Sequence, residues 1–474
     1  MKYVTVFLLF IPTIILCSEN VLTTDQALQD AYFTFQKMKE IHPNIFFSLD
    51  KQGAEMAFSE LIQVIQFRKS WHLRDFFRYL AEFVAKFKDG HTYLSITDQF
   101  SEYLESGGKV VPLFVSFSDS FITILESIPS GMIEPGSKLV SLNNLTADTL
   151  RNEIMKMISF EREPFAYSKA SSLFHLYMWV IFGSQDVFTV EVVTPLGKHQ
   201  IVELSSVSFD LYKQRRSEIQ AFSFNKLWDF SFLSEGVALL TLNTFSSKYK
   251  KDLEIFIRDC FQQIRSRGVK TLVIDIRKNG GGDSSIAEYL YSFISDKPYR
   301  TYAEVHVKYS EDVLKKINIY DPILLFRVKI LGQKIIVNKN NFKSPRRNSL
   351  RFNGDVYVLV GPQTFSAATD FAAIIKDLSI GKIVGQETGG LASCYGDVFS
   401  LTLPNSKLKL GVSFKYFLRC GGFNDKRGVI PDIVVEADSV LESKGVDPVI
   451  NAVLEDIEKR SLHRERPDQG VFLD

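Results

Sequence analysis

Two stretches of this chain run a buried strand into a turn that opens a helix, which is where a backbone offers amides and hydroxyls to a ligand. In Thr271-Leu-Val-Ile-Asp-Ile-Arg-Lys-Asn-Gly-Gly-Gly-Asp283 an apolar run leads straight into three glycines. Consecutive glycines weaken any regular element, so the backbone there turns sharply or approaches something closely. Its amides suit an anion or a developing oxyanion, or else belong to a plain tight turn. No Gly-Lys-Ser/Thr follows, which disfavours a phosphate loop. In Val356-Tyr-Val-Leu-Val-Gly-Pro-Gln-Thr-Phe-Ser-Ala-Ala-Thr369, Ser366 stands at the corner before a helix of small residues. Its hydroxyl is either a helix N-cap or an exposed nucleophile with the Ala367 amide as an oxyanion donor. The surroundings are not a G-x-S-x-G elbow, which weakens an ordinary α/β-hydrolase reading. A serine hydroxyl needs a base, and that base an orienting acid. His91 lies in Asp89-Gly-His-Thr92, Glu387 in Gly385-Gln-Glu-Thr-Gly-Gly390, and Asp425 in Gly421-Gly-Phe-Asn-Asp-Lys-Arg-Gly-Val-Ile-Pro-Asp432.

The elements that must position these groups fall into three segments. From Leu22 to about Phe87, Ala27, Ala31, Phe35 and Met38 recur at one-turn spacing, as do Phe76, Phe77, Leu80, Phe83 and Val84, predicting helices. From about Val110 to Leu204 short alternating runs predict strands, interrupted by a helical stretch around Phe165 to Phe182. From about Phe222 onward strands alternate with helices, which predicts an α/β domain.

With 474 residues the chain exceeds one ordinary core, and 45% hydrophobic residues suffice to pack several. Its net charge of +1 gives no electrostatic reason to expect a nucleic-acid partner. Lys2 followed by an apolar run from Val4 to Leu16 predicts an export signal over residues 1–18. Cys17 stands where a bacterial lipoprotein would be acylated, so plain release and a lipid anchor both stay open, the anchor being the one expected membrane contact. Cys394 and Cys420 are either a disulfide or two buried thiols. With no C-x-x-C and no paired-histidine spacing, neither a metal nor another cofactor is expected. The oligomeric state is not legible.

Taken in order, Asp89-Gly-His-Thr, Ile274-Asp-Ile-Arg-Lys-Asn-Gly-Gly-Gly, Thr364-Phe-Ser-Ala-Ala, Gly385-x-x-Thr-Gly-Gly and Gly428-Val-Ile-Pro-Asp432 resemble the tail-specific (C-terminal processing) protease family. That family includes the tricorn core protease and the interphotoreceptor retinoid-binding proteins. The resemblance implies an α/β catalytic domain with a crotonase-like α/β spiral over 222–440. It also implies a PDZ-like domain over 105–208, carried by Ile128-Pro-Ser-Gly and Gly136 to Asn144. That domain stands between the helical bundle read from periodicity over 19–95 and the catalytic domain, with a C-terminal helix and tail expected over 441–474. It implies Ser366 as nucleophile, with Gly281 and the Ala367 amide as the oxyanion hole. Leu391 stands where many bacterial members carry a catalytic lysine, whereas His91 matches the histidine of the tricorn type. The supporting acid lands on Asp425, with Glu387 as second candidate. Two departures are Gly90, where tricorn-type sequences have serine, and Thr369, where an acid is common. The implied activity is endopeptidase cleavage of unstructured polypeptides; the alternative is an inactive binding protein on the same scaffold.

Overall fold

The computed structural model describes residues 21–220, 226–317, 321–332, 334–436, 438 and 445–465. The predicted export signal and Cys17 lie outside them. The first helices among the described residues are α1 (Thr24–Ile41), α2 (Lys51–Gln66) and α3 (Leu73–Ala85). A capping box starts α1, in which Thr23 Oγ1 accepts from the Gln26 amide while the Gln26 side chain accepts from Thr23. The helix stops before His42-Pro43, where the proline disfavours helical geometry in its predecessor. Ala27, Ala31, Phe35 and Met38 of α1 are buried, as are Phe76, Phe77, Leu80, Phe83 and Val84 of α3. After α3 the chain turns through His91 into a short strand, β1 (Tyr93–Ser95).

The next strands are β2 (Leu113–Phe117), β3 (Ile122–Ser127) and β4 (Lys138–Leu142). Helices α4 (Ala147–Lys156), α5 (Glu163–Ser172) and α6 (Phe174–Phe182) then intervene before β5 (Val187–Val193) and β6 (His199–Ser205). These strands make an antiparallel sheet of order β6-β5-β4-β3-β2, so β2 is an edge. Helix α7 (Phe209–Gln220) follows.

The remaining chain contains two sheets. One has the order β7 (Trp228–Ser234), β8 (Val237–Leu242), β9 (Thr271–Asp275), β12 (Asp355–Val360), β13 (Lys382–Gly385) and β16 (Ile433–Val434). Only β7 runs antiparallel within it. Helices α8 (Lys250–Ser266), α9 (Ser284–Ile294) and α10 (Ala367–Asp377) share one core with Leu272, Ile274 and Val358 of its strands. The alternate residues Val273, Tyr357 and Leu359 face Val449 and Val453 of α11 (Pro448–Glu465). Two covered faces explain why these strands read as continuous apolar runs. The second sheet, order β11 (Ile335–Lys339), β10 (Tyr302–Lys308), β15 (Lys409–Arg419), β14 (Cys394–Thr402), is antiparallel and also takes in β1, whose Leu94 faces Leu410.

This topology corrects the expected crotonase-like spiral. The parallel strands lie in one open sheet, and the later strands leave it for a separate antiparallel sheet that recruits β1 from far upstream. Strand–helix alternation along the sequence cannot distinguish these arrangements, because each is set by pairing between distant segments. Cys394 and Cys420 are buried free thiols, so the disulfide alternative is not realised.

Candidate active site

The three-glycine turn is held from below by Asn279, which is fully buried. Its Nδ2 donates to Leu242 O at 2.9 Å, its Oδ1 accepts from the Gly281 amide at 2.8 Å, and its carbonyl accepts from the Phe365 amide at 3.0 Å. One residue, through its side chain and its carbonyl, thus links β8, the glycine turn and the residue before Ser366. Gly281 has φ +91°, and a Cβ there would lie 2.7 Å from both Phe365 O and Ser366 Cβ and 2.9 Å from Ala367 N. Only glycine permits this approach. The Gly281 amide is already occupied by Asn279, whereas the Ala367 amide, first in α10, has no acceptor among the described residues.

Ser366 precedes α10 with φ 53° and ψ −129°, a left-handed backbone rare for a non-glycine residue. Its hydroxyl makes no capping hydrogen bond, so the N-cap alternative does not describe it. Thr364 Oγ1 donates to Ile276 O and accepts from the Gly361 amide, and Thr369 Oγ1 donates to Thr364 O, which pins the corner on both sides.

His91 reaches this corner through Phe365. The imidazole stacks on the Phe365 ring with centroids 4.4 Å apart, and Phe165 stacks on the ring at the same 4.4 Å separation. Each such pair contributes about 0.5–1.5 kcal/mol beyond area burial. Gly90 fits beneath, since a Cβ there would lie 2.9 Å from the Phe365 ring. The turn itself hangs on Asp89, fully buried, whose carboxylate accepts from Thr92 and Ser413 hydroxyls at 2.6 Å each and from the His91 amide at 3.0 Å, and meets His42 Nε2 at 3.1 Å. Burial opposes its charge, but His42, the nearby His91 and Ser413 outweigh that and hold Asp89 well below the usual carboxylate range. Ser413 lies on β15, so the strand pairing of β1 and the Asp89 network together deliver His91 to the catalytic half.

Neither ring nitrogen of His91 has a hydrogen-bond partner among the described residues. Burial pushes its pKa below the ordinary histidine value, against the opposing pull of Asp89 and Asp397. Nδ1 lies 4.0 Å from Oε1 of Glu161, a buried acid of the loop between α4 and α5. Glu161 was not among the sequence candidates; it belongs to no motif and sits in a charged run, Glu161-Arg-Glu163, that reads as a solvated surface. Burial, with the charge of Asp89, raises its pKa well above the carboxylate range, partly offset by the amides of Gly90 and Leu391. Asp89, His91 and Glu161 are close enough to suggest metal ligands, but the Asp89 carboxylate is already consumed by its donors.

The two acids named from the sequence are engaged elsewhere. Asp425 is partly exposed and pairs with Arg419 at 3.4 Å. Glu387 meets Arg162 at 2.9 Å, binds Arg427 at 2.5 Å and accepts from the Gly428 amide at 2.8 Å. Burial would raise Glu387, yet Arg427, Arg162 and Gly428 together lower it. Glu387→Gln is therefore expected to lose about 1.5–3 kcal/mol of stability with modest loss of turnover, and Asp425→Asn less than about 1 kcal/mol. Melting temperatures measured beside turnover check this; a Glu387→Gln protein that melts normally but turns over slowly contradicts it.

Residues 236–435 match the model of peptidase family S41. No curated protein matches the chain by sequence. Among solved structures, mature CPAF complexed with lactacystin aligns at TM-score 0.65 and 15% identity, over 93% of this chain and 98% of that one. Mature CPAF alone aligns at TM-score 0.63 and 15% identity, over 95% and 99% of the two chains. This shared fold, with its PDZ-type β-sheet, takes the place of the crotonase-like spiral.

Proposed function

We propose that this chain, whose residues 236–435 match the model of peptidase family S41, is a serine-type endopeptidase acting on a polypeptide, with Ser366 as its nucleophile and His91 as its general base. The observation that supports this best is the Ser366 backbone, held left-handed against the bare Cα of Gly281 with its hydroxyl spent on no cap. In this reading His91 Nε2 takes the Ser366 proton as Oγ bonds to the scissile carbonyl carbon. The oxyanion faces the Ala367 amide. His91 then returns the proton to the leaving amine, the C–N bond breaks, and water releases the acyl group. Ser366 and His91 share no hydrogen bond here; such contacts commonly tighten only when substrate is bound.

The polypeptide's route is supported by a cleft of about 1230 Å³ that runs from Phe117 of the edge strand β2, past Tyr167, Arg216 and Lys278, to Gly361 and Gln363 just before Ser366. It exceeds the roughly 300–1,000 Å³ of small-molecule sites. An extended peptide adds there along β2, in a lining that mixes basic residues such as Arg216 with acidic ones such as Asp119 and Glu163. The N-terminal pattern supports action outside the cytoplasm.

A fluorophosphonate serine probe followed by intact mass analysis tests the reading. One adduct is expected on the wild type and none on Ser366→Ala; an unlabelled wild type that still cleaves peptides overturns it. The rate is also expected to fall as pH drops through one ionisation, because only neutral imidazole accepts the Ser366 proton. Burial alone would put that limb on the acid side of about 6.5. His91→Ala should remove the limb, whereas a lysine base would leave one at higher pH.

A further inference from the structure

We infer that Glu161, contributed by the PDZ-like segment rather than by the family-matched segment, is the positioning acid of this site, receiving the His91 Nδ1–H and leaving Nε2 free for Ser366. This rests on the Ser366–His91 reading above. The geometry is specific. Buried polar atoms without partners are rare, yet both His91 nitrogens and Glu161 Oε2 lack them, and all belong to facing side chains. The 4.0 Å between Nδ1 and Oε1 needs only about 1 Å of closure, or one bridging water, to become a hydrogen bond.

Among the described residues, the other charged groups acting on the imidazole are committed or of the wrong sign. Asp89 faces it but spends its oxygens on His42, Thr92, Ser413 and the His91 amide. Asp397 pairs with Lys415 at 2.5 Å. Lys169, which also faces His91, is cationic and lies 5.9 Å from the Phe165 ring. Asp425 and Glu387 hold arginines. Glu161 is itself fixed from both sides, by the Gly90 amide at 3.4 Å and by the ion pair of its neighbour Arg162 with Glu387. The loop carrying the acid is thereby stapled to the catalytic loop.

The proton count follows. Burial raises Glu161 and lowers His91, so each is driven toward its neutral form, in which Glu161 carries the carboxyl proton. That proton must leave before Nδ1–H faces a carboxylate and Nε2 becomes a base. The wild-type limb therefore lies at higher pH than that of a buried His91 acting alone.

Steady-state kinetics across pH on full-length Glu161→Gln and Glu161→Asp, with Ser366→Ala as reference and melting temperature as control, test this. Glu161→Gln is expected to lose about 10²–10⁴-fold in kcat, with KM within about threefold and the limb displaced to lower pH. Glu161→Asp, which keeps the carboxylate on a shorter arm, should recover part of kcat and retain the higher limb. A Glu161→Gln enzyme with the wild-type plateau and limb overturns the assignment. Should Glu161→Gln melt out, Glu161→Asp decides, since an unchanged plateau in that variant also overturns it. If Ser366→Ala itself stays active, the nucleophile reading has failed; if Ser366→Ala is dead while Glu161→Gln is fully active, only the acid assignment has failed.

Discussion

Ser366→Ala is expected to cost about 10⁶-fold in kcat toward casein-like peptides while leaving the fold intact. The hydroxyl makes no capping bond, so its removal leaves no buried group unpaired. Alanine inherits the left-handed backbone at φ 53°, and its strain with it. Ser366→Gly should be equally inactive but more stable, because glycine adopts that conformation without penalty, a gain of about 1 kcal/mol. The two variants together separate chemistry from strain. If Ser366→Ala cleaves at the wild-type rate, another residue is the nucleophile. If Ser366→Gly melts no higher than Ser366→Ala, the corner is not strained.

Gly281→Ala carries the second large expectation, a loss of about 10²–10³-fold in turnover, comparable with losing an oxyanion donor. The cause is steric. A methyl group there would lie 2.7 Å from Phe365 O and Ser366 Cβ and 2.9 Å from Ala367 N, all parts of the rigid corner. Either Ser366 or the Ala367 amide must move, and placement errors of about 1 Å can cost about 10²-fold. The positive φ adds roughly 1–2 kcal/mol of destabilisation. Gly280 provides an internal comparison, since a Cβ there meets nothing within 4 Å, so Gly280→Ala should lose far less. Equal losses at the two glycines would mean that turn flexibility, rather than the close approach to Ser366, governs activity.

Much of the local structure could be read in advance because it depends on neighbouring residues. The apolar run Thr271 to Ile276 ahead of three glycines implies a strand and a sharp turn in any fold, and Ser366 before Ala367-Ala368 implies a helix start. The motif order likewise singled out His91, although nothing local says what it faces. Tertiary structure decided the rest. His91 reaches the catalytic half because β1 pairs with β15 and Asp89 bonds Ser413, contacts that join residues more than three hundred positions apart. The open sheet, in place of a spiral, follows from which distant strands pair, and helix–strand alternation carries no record of that. Glu161 shows the limit most clearly. In sequence it is one charge in Glu161-Arg-Glu163, and a charged run is normally solvated. Only the packing of the α4–α5 loop against Gly90 and Arg162's reach to Glu387 turn it into a buried acid beside an unpaired imidazole. Burial and charge proximity are properties of three-dimensional neighbours, so strands and turns are legible along the chain, whereas the placement of Glu161 beside His91 is set by packing between distant segments.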